Sequence, residues 1–297
     1  MLNYLLLVVS TILATGKALF CKALGTGEYS RKEMAVLNFK ALFVAFVCAF
    51  CFVSGRVGEL FHISSFSLVL SMFFGFSVAL TQIMQSRAMG NGPSSIVTLI
   101  YSCGFLIPIF YGLAFWEEKV SLYQWMGIAL LTVALGLIVA KREKGGALLA
   151  WMPFAVVAML GSGTNAIFQK THQRSPSAEE LPFFLVCSLF FAALFTGIAS
   201  LTLREKKGRE RSLEKKRRGM REIVTPLGLG ICVGALNFLN LSLSGKIPSV
   251  LHFPIYNVGS MLLTVILSAL IYKDKLAKRQ TVGFVLGMIA IWMIGVL

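Results

Sequence analysis

Ten stretches of about twenty mostly apolar residues follow one another, near residues 2–22, 34–54, 66–88, 94–116, 121–140, 147–169, 181–203, 223–244, 248–271 and 279–297. A hydrocarbon core of about 30 Å takes roughly 20 apolar residues per helical crossing, so each stretch has the length of a span. What remains is too short for a soluble domain of useful size. Composition agrees: 57% of residues are hydrophobic and 14% charged, with a mean hydropathy of +0.78, far outside the soluble globular range. The predicted fold is an all-α polytopic membrane protein with ten transmembrane helices.

The first stretch does not read as a signal peptide. No basic residue precedes it, it is too long for an h-region, and Lys17 stands where a cleavage site would lie. The six cysteines (Cys21, Cys48, Cys51, Cys103, Cys187, Cys232) all fall within or at the edge of spans. Cys48 and Cys51 form a C-x-x-C, but in an apolar helix with no second pair, where packing is the better reading than redox or zinc chemistry.

The net charge of +15 has a topological explanation that leaves no need for nucleic acid. The loops after the first, third, fifth, seventh and ninth stretches hold 3, 1, 3, 10 and 4 Lys/Arg, whereas the opposite side holds only Arg56, Lys119, Lys170, Arg174 and Lys246. The positive-inside rule then puts the richer loops in the cytoplasm and both termini outside. The run at 204–222 is the basic cytoplasmic loop of this scheme, lying against anionic headgroups.

The pattern repeats. At an offset of 148, Thr15-Gly-Lys-Ala-Leu-Phe-Cys-Lys22 lies over Gly163-Thr-Asn-Ala-Ile-Phe-Gln-Lys170, so that Lys17 falls on Asn165. At 155, Gly75 pairs with Gly230, Gln82 with Asn237, Gln85 with Asn240, Pro93 with Pro248, Tyr101 with Tyr256 and Gly104 with Gly259. At 156, Glu118-Lys-Val falls on Asp274-Lys-Leu, Gln124 on Gln280 and Gly127 on Gly283. Five spans per copy is an odd number, so the second copy enters from the other side. This predicts two inverted five-helix repeats, residues 1–143 and 144–297, with a binding site between them.

The run Glu118-Lys-Val-Ser-Leu-Tyr-Gln124-Trp-Met-Gly127, followed by Gly136, resembles the G-E-x-x-S-x-x-Q-x-x-G…G pattern of EamA-type members of the drug/metabolite transporter superfamily, with Glu117 in place of the usual Gly. Gly161-Ser-Gly-Thr-Asn165 is similar to the W-G-S-N entry of the family's repeats, without the tryptophan. The resemblance covers essentially the whole chain. It implies efflux or exchange of metabolites or drugs by a multi-pass protein of the bacterial cell membrane. Many members keep both termini inside; this chain begins Met-Leu-Asn-Tyr and stops within its last span, so its orientation is expected to be reversed. Read physically, Ser121 and Gln124 form an S-x-x-Q capping box for the fifth helix, and Gly127, Gly136, Gly283 and Gly287 are contacts that let helices approach.

All thirteen acidic residues lie in loops or at helix ends, which argues against a cation exporter built on one buried carboxylate. Lys17 and Lys40 are the only charges well inside spans, each about five or six residues, roughly 8–9 Å, from the expected cytoplasmic end. They either snorkel to that interface or point into a central cavity and attract an anionic group. Lys40, beside Asn38, is the stronger candidate of the two, because family members often carry a basic residue there. The amide pairs Gln82/Gln85 and Asn237/Asn240, three residues apart, share a helical face, and either bond neighbouring helices or line the cavity. Tyr101 and Ser102, with Tyr256 and Asn257, add donors at matched positions, and Asn165 completes the expected substrate-binding set. Pro108 and Pro254 bend their helices.

His252 reads as packing. No metal-ligand spacing, nucleotide loop or cofactor motif is present. The expected partners are a small-molecule substrate and the bilayer, with neutral, zwitterionic or anionic cargo and no enzymatic role. Two other readings are a non-transporting membrane partner acting through the basic loop and, with less support, an intramembrane lipid-modifying enzyme. Substrate identity, coupling ion, direction and oligomeric state are not encoded in these motifs.

Overall fold

The computed structural model describes residues 2–25, 29–53, 55, 63–92, 94–139, 148–203, 215–272 and 278–295. Among the described residues the chain is helical, with no strand. Its helices are α1 (Leu2–Gly25), α2 (Arg31–Val53), α3 (Ser65–Asn91), α4 (Ser94–Ser102), α5 (Leu106–Phe115), α6 (Leu122–Val139), α7 (Leu148–Gln173), α8 (Leu181–Thr202), α9 (Lys215–Ser244), α10 (Ser249–Tyr272) and α11 (Lys278–Gly295). Among the described residues, six segments, within α1, α2, α3, α7, α8 with its preceding turn, and α9, are long and apolar enough to cross a membrane; Ile100–Phe115, Leu122–Ala134 and Thr281–Ile294 are apolar but shorter.

Local chemistry starts these helices. Ser30 and Glu33 cap α2 reciprocally, each accepting from the other's backbone N–H. The box expected at Ser121 and Gln124 forms at the head of α6, with distances of 3.0 and 3.3 Å. Ser64 caps α3 by accepting from Ser67 N. Its own backbone and hydroxyl donate to the Glu180 carboxylate, which ties α3 to the turn between α7 and α8.

Two boundaries differ from the sequence reading. The stretch 94–116 is interrupted by a 3₁₀ turn at Cys103–Phe105 between α4 and α5. The physical reason is Pro108, which has no N–H for the Gly104 carbonyl and crowds it with its ring. Pro254, by contrast, sits within the continuous α10. Helix α9 begins at Lys215 rather than near 223, because a charged helix outside the hydrocarbon needs no apolar face. The second motif copy at Asp274, the basic residues at 204–214, and Arg56, His62, Pro93 and Glu143 lie outside the described residues, as does the Gln280 side chain.

Packing follows a reciprocal scheme. Helix α3 lies against α7 and α8 while α9 lies against α1 and α2; α2 meets α8, and α6 meets α11. Lipid offers no hydrophobic drive between helices, so close approach depends on small residues. A side chain at Gly75 would collide with the Ser188 carbonyl and Phe191 of α8, and one at Gly230 with the Ala41 carbonyl and Val44 of α2. Gly104 meets Met159 of α7 where Gly259 meets Thr11 of α1. Gly127 is likewise jammed against Ile294 and Ala290. The expectation for Gly136 is corrected: among the described residues, a Cβ there meets nothing within 4 Å. Two apolar clusters result, one around Phe74, Phe184 and Leu229, the other around Phe105, Leu131 and Met261. The polar chamber described next borders both, through Val78 and Val233 of the first and Ala166 and Phe253 of the second.

Candidate functional site

Six helices wall one polar chamber. Its lining comes from Lys17 of α1; Val78, Thr81 and Gln82 of α3; Tyr101 of α4; Ser162, Asn165, Ala166 and Gln169 of α7; Val233, Leu236, Asn237 and Asn240 of α9; and Phe253, Tyr256 and Asn257 of α10. Steps of three and four along α3, α7, α9 and α10 put each set on one helical face. Only about 50 Å³ is open to the centres of water molecules, enough for a few waters and far below a drug-sized pocket.

Lys17 is the charge in this chamber. Its Nζ donates to the Tyr101 hydroxyl at 3.3 Å and stands 5.3 Å from the centre of that ring. Among the described residues, its ionisable neighbours are Tyr101, Cys21, Tyr256 and Cys232, and no carboxylate lines the chamber. An enclosed ammonium loses hydration that a phenol and a ring face only partly replace.

The amides differ in what the chain bonds to them. Asn237 Oδ1 accepts from Gln169 Nε2 at 3.0 Å, and its Nδ2 donates to the Val233 carbonyl. Asn257 Nδ2 donates to the Phe253 carbonyl. Asn240 Oδ1 lies 3.4 Å from His252 Nε2. Gln82 Nε2 donates to Asn38 Oδ1 and Cys21 Sγ, which binds α3 to α2 and α1. Asn165 Nδ2 reaches Thr81 Oγ1 at 3.4 Å, while its Oδ1 has no hydrogen-bond partner among the described residues.

Of the residues expected from the sequence, Lys17, Gln82, Tyr101, Asn165, Asn237, Asn240, Tyr256 and Asn257 are brought together on this wall, whereas Lys40, Gln85 and Ser102 are not. Lys40, preferred over Lys17 from the sequence, is exposed on α2 outside this lining, and Asn38, two residues earlier, is the one turned fully inward. Gln85 and Ser102 are buried outside the lining. Thr81 and Gln169 were missed. Their signal was adjacency, since each neighbours a residue already singled out and Gln169 lies inside the repeated Gly163–Lys170 motif.

A second polar cluster lies one turn further along α7. Lys170 is 3% exposed and forms an ion pair with Glu118. It also donates to Ser249 Oγ at 2.8 Å and stands 5.2 Å from the Trp116 ring. Glu118 Oε2 accepts from Ser249 N at 3.0 Å. The sequence placed Lys170 among loop cations; the fold encloses it. Glu117 precedes this carboxylate with φ of 54°, a left-handed conformation that costs an L-residue roughly 1–2 kcal/mol. Glycine, which the resembled pattern has here, adopts this conformation without that cost. The turn ends α5 with the Gly112 carbonyl accepting from both Trp116 and Glu118 N–H.

Fold and chamber together define a polytopic helical membrane protein with a polar site enclosed between its helices. A family model described as the EamA-like transporter family matches residues 149–296. The chain belongs to that family, within the drug/metabolite transporter superfamily. Family and membrane-helical fold point to a transporter rather than an enzyme. Among solved structures, the chain is similar to one described only as the crystal structure of a protein: 13% identity, TM-score 0.68, covering 98% of this chain and 96% of that one. At that identity the likeness shows the fold alone. No curated protein matches the chain.

Proposed function

We propose that the protein is a secondary transporter that moves small organic solutes across the cell membrane by alternating access, with the chamber as its central site. The observation that carries this reading is Lys17: a charged group inside the helix bundle, facing the chamber, with no described carboxylate beside it. Buried ionisable groups in membrane proteins mark substrate or ion pathways. An ammonium supplied without a counter-ion takes one from its cargo, so the cargo carries a carboxylate, phosphate or similar anionic group. Asn165, with an acceptor oxygen left open, receives a donor from the same molecule, while Tyr101 and Tyr256 flank the anion. Direction is export or exchange, as the family suggests.

The architecture that fits this reading is ten crossings in two inverted units, 1–143 and 144–297, with both termini outside. Its support is the matched packing of Gly75 and Gly230, and of Gly104 and Gly259, on opposite partners, together with the bias of Lys/Arg toward alternate loops.

The test is counterflow in liposomes containing the purified protein, with carboxylates, zwitterions, neutral solutes and amines compared. Anion-bearing solutes are expected to exchange, and Lys17→Met to reduce that exchange about tenfold or more, the equivalent of one lost charge-assisted contact. Preference for amines, an unaffected Lys17→Met protein, or no flux through folded wild type would overturn it.

A further inference from the structure

We propose that Glu118, Lys170 and Ser249 form an ionic latch that shuts the chamber toward the face carrying the Trp116–Lys119 turn, and that solute passes on that side when it parts. The inference rests on the transporter reading above and assigns residues to the access step.

Position is the first argument. Beyond the chamber lies a second space, lined by Trp116, Glu118, Lys170, Ser244 and Pro248 among others, with about 380 Å³ open to water centres against about 50 Å³ in the chamber. On α7 the chamber wall ends at Gln169 and the outer wall begins at Lys170. On α9 it ends at Asn240 and resumes at Ser244; at α10, Phe253 faces the chamber and Pro248 the outer space. The divide is a single residue step along α7 and about one helical turn along α9 and at the start of α10. Lys170, Ser249 and His252 occupy it, at 3%, 0% and 0% exposure.

Connectivity is the second. The cluster joins three chain segments: the α5–α6 turn through Glu118, the end of α7 through Lys170, and the start of α10 through Ser249. These segments can separate only if the cluster breaks.

Energetics is the third. A buried ion pair gains little net free energy, because desolvation of both ions offsets most of their attraction. When water from the outer space reaches the pair, both ions hydrate and separation costs little. Such a contact suits a switch better than a brace. The outer space also carries Lys119, Arg174 and Lys246 against the single further carboxylate of Glu117, a net positive field that concentrates anions. An anionic solute arriving there competes with Glu118 for Lys170.

The experiment places a reporter cysteine in the chamber wall, Leu236→Cys. Its labelling by a membrane-impermeant thiol reagent is followed from each face of sealed vesicles, with the reporter peptide quantified by mass spectrometry. Adding Glu118→Gln should raise labelling from the Trp116–Lys119 face about tenfold and leave the other face unchanged. Ser249→Ala, which keeps the ion pair, should give a smaller rise on the same face. The charge swap Glu118→Lys with Lys170→Glu should lower labelling again relative to either single change. An equal rise from both faces, or no rise in folded Glu118→Gln and Ser249→Ala proteins, overturns the latch. The two readings separate cleanly. One-sided opening without solute flux in wild type removes the transport reading alone, whereas flux with unchanged labelling removes the latch alone.

Discussion

Two lysines, one in α1 and one in α7, sit in neighbouring regions and have opposite surroundings. Lys170 has its carboxylate, its serine and its tryptophan supplied by the chain. Lys17 has tyrosines and no described carboxylate. A complete ion pair joins helices and closes the space between them; an incomplete one leaves a site in need of an outside partner. The same side-chain type thus makes a seal in one region and a binding group in the next, and the difference is the presence of Glu118.

The comparison is sharpest in stability. Lys170→Met strands the Glu118 carboxylate in a buried site and should destabilise the protein by about 3 kcal/mol, near the low end for breaking a buried pair because the outer space supplies water. Lys17→Met removes an unpaired ion and should leave stability unchanged or raise it. Denaturant titration in micelles measures both; equal losses would erase the distinction between seal and site. A smaller effect lies beside the latch. Glu117→Gly should stabilise by roughly 1–2 kcal/mol by relieving the left-handed backbone, with the carboxylate of Glu118 still seated, and a fall in the unfolding midpoint would contradict this. Smallest of all is Lys40→Ala, outside both regions. It should change stability by no more than about 0.5 kcal/mol and leave liposome exchange at the wild-type rate.

Much of the chamber was readable because helical spacing and the duplicated pattern both pointed inward at Gln82, Asn165, Asn237, Asn240 and Asn257. Apolar stretches also marked where helices run, since segment length against bilayer thickness is a one-dimensional property. Which of two nearby polar residues faces inward was not readable on α2. Successive residues lie about 100° apart around a helix, so Asn38 and Lys40 point to different sides, and an almost uniformly apolar helix gives no polar face to choose between them. Gln85 shares α3 with Gln82 yet stays off the wall for a similar reason: three residues bring a side chain back only approximately, one turn further along. The enclosure of Lys170 was hidden because Glu118 and Ser249 are distant in sequence and meet it only when α5, α7 and α10 converge. The interruption before Pro108 was foreseen as a bend, though not as a 3₁₀ turn.

By itself the sequence determined that the chain is a helical membrane protein and which polar residues are candidates. Hydropathy, spacing and repeated motifs are properties of the chain as a string, so they need no coordinates. Tertiary structure alone decided that Lys17 faces a chamber with tyrosines, that Lys40 does not, and that Lys170 is paired. Burial and ion pairing depend on what a neighbouring helix brings within a few ångströms, and that distance exists only once the helices have packed.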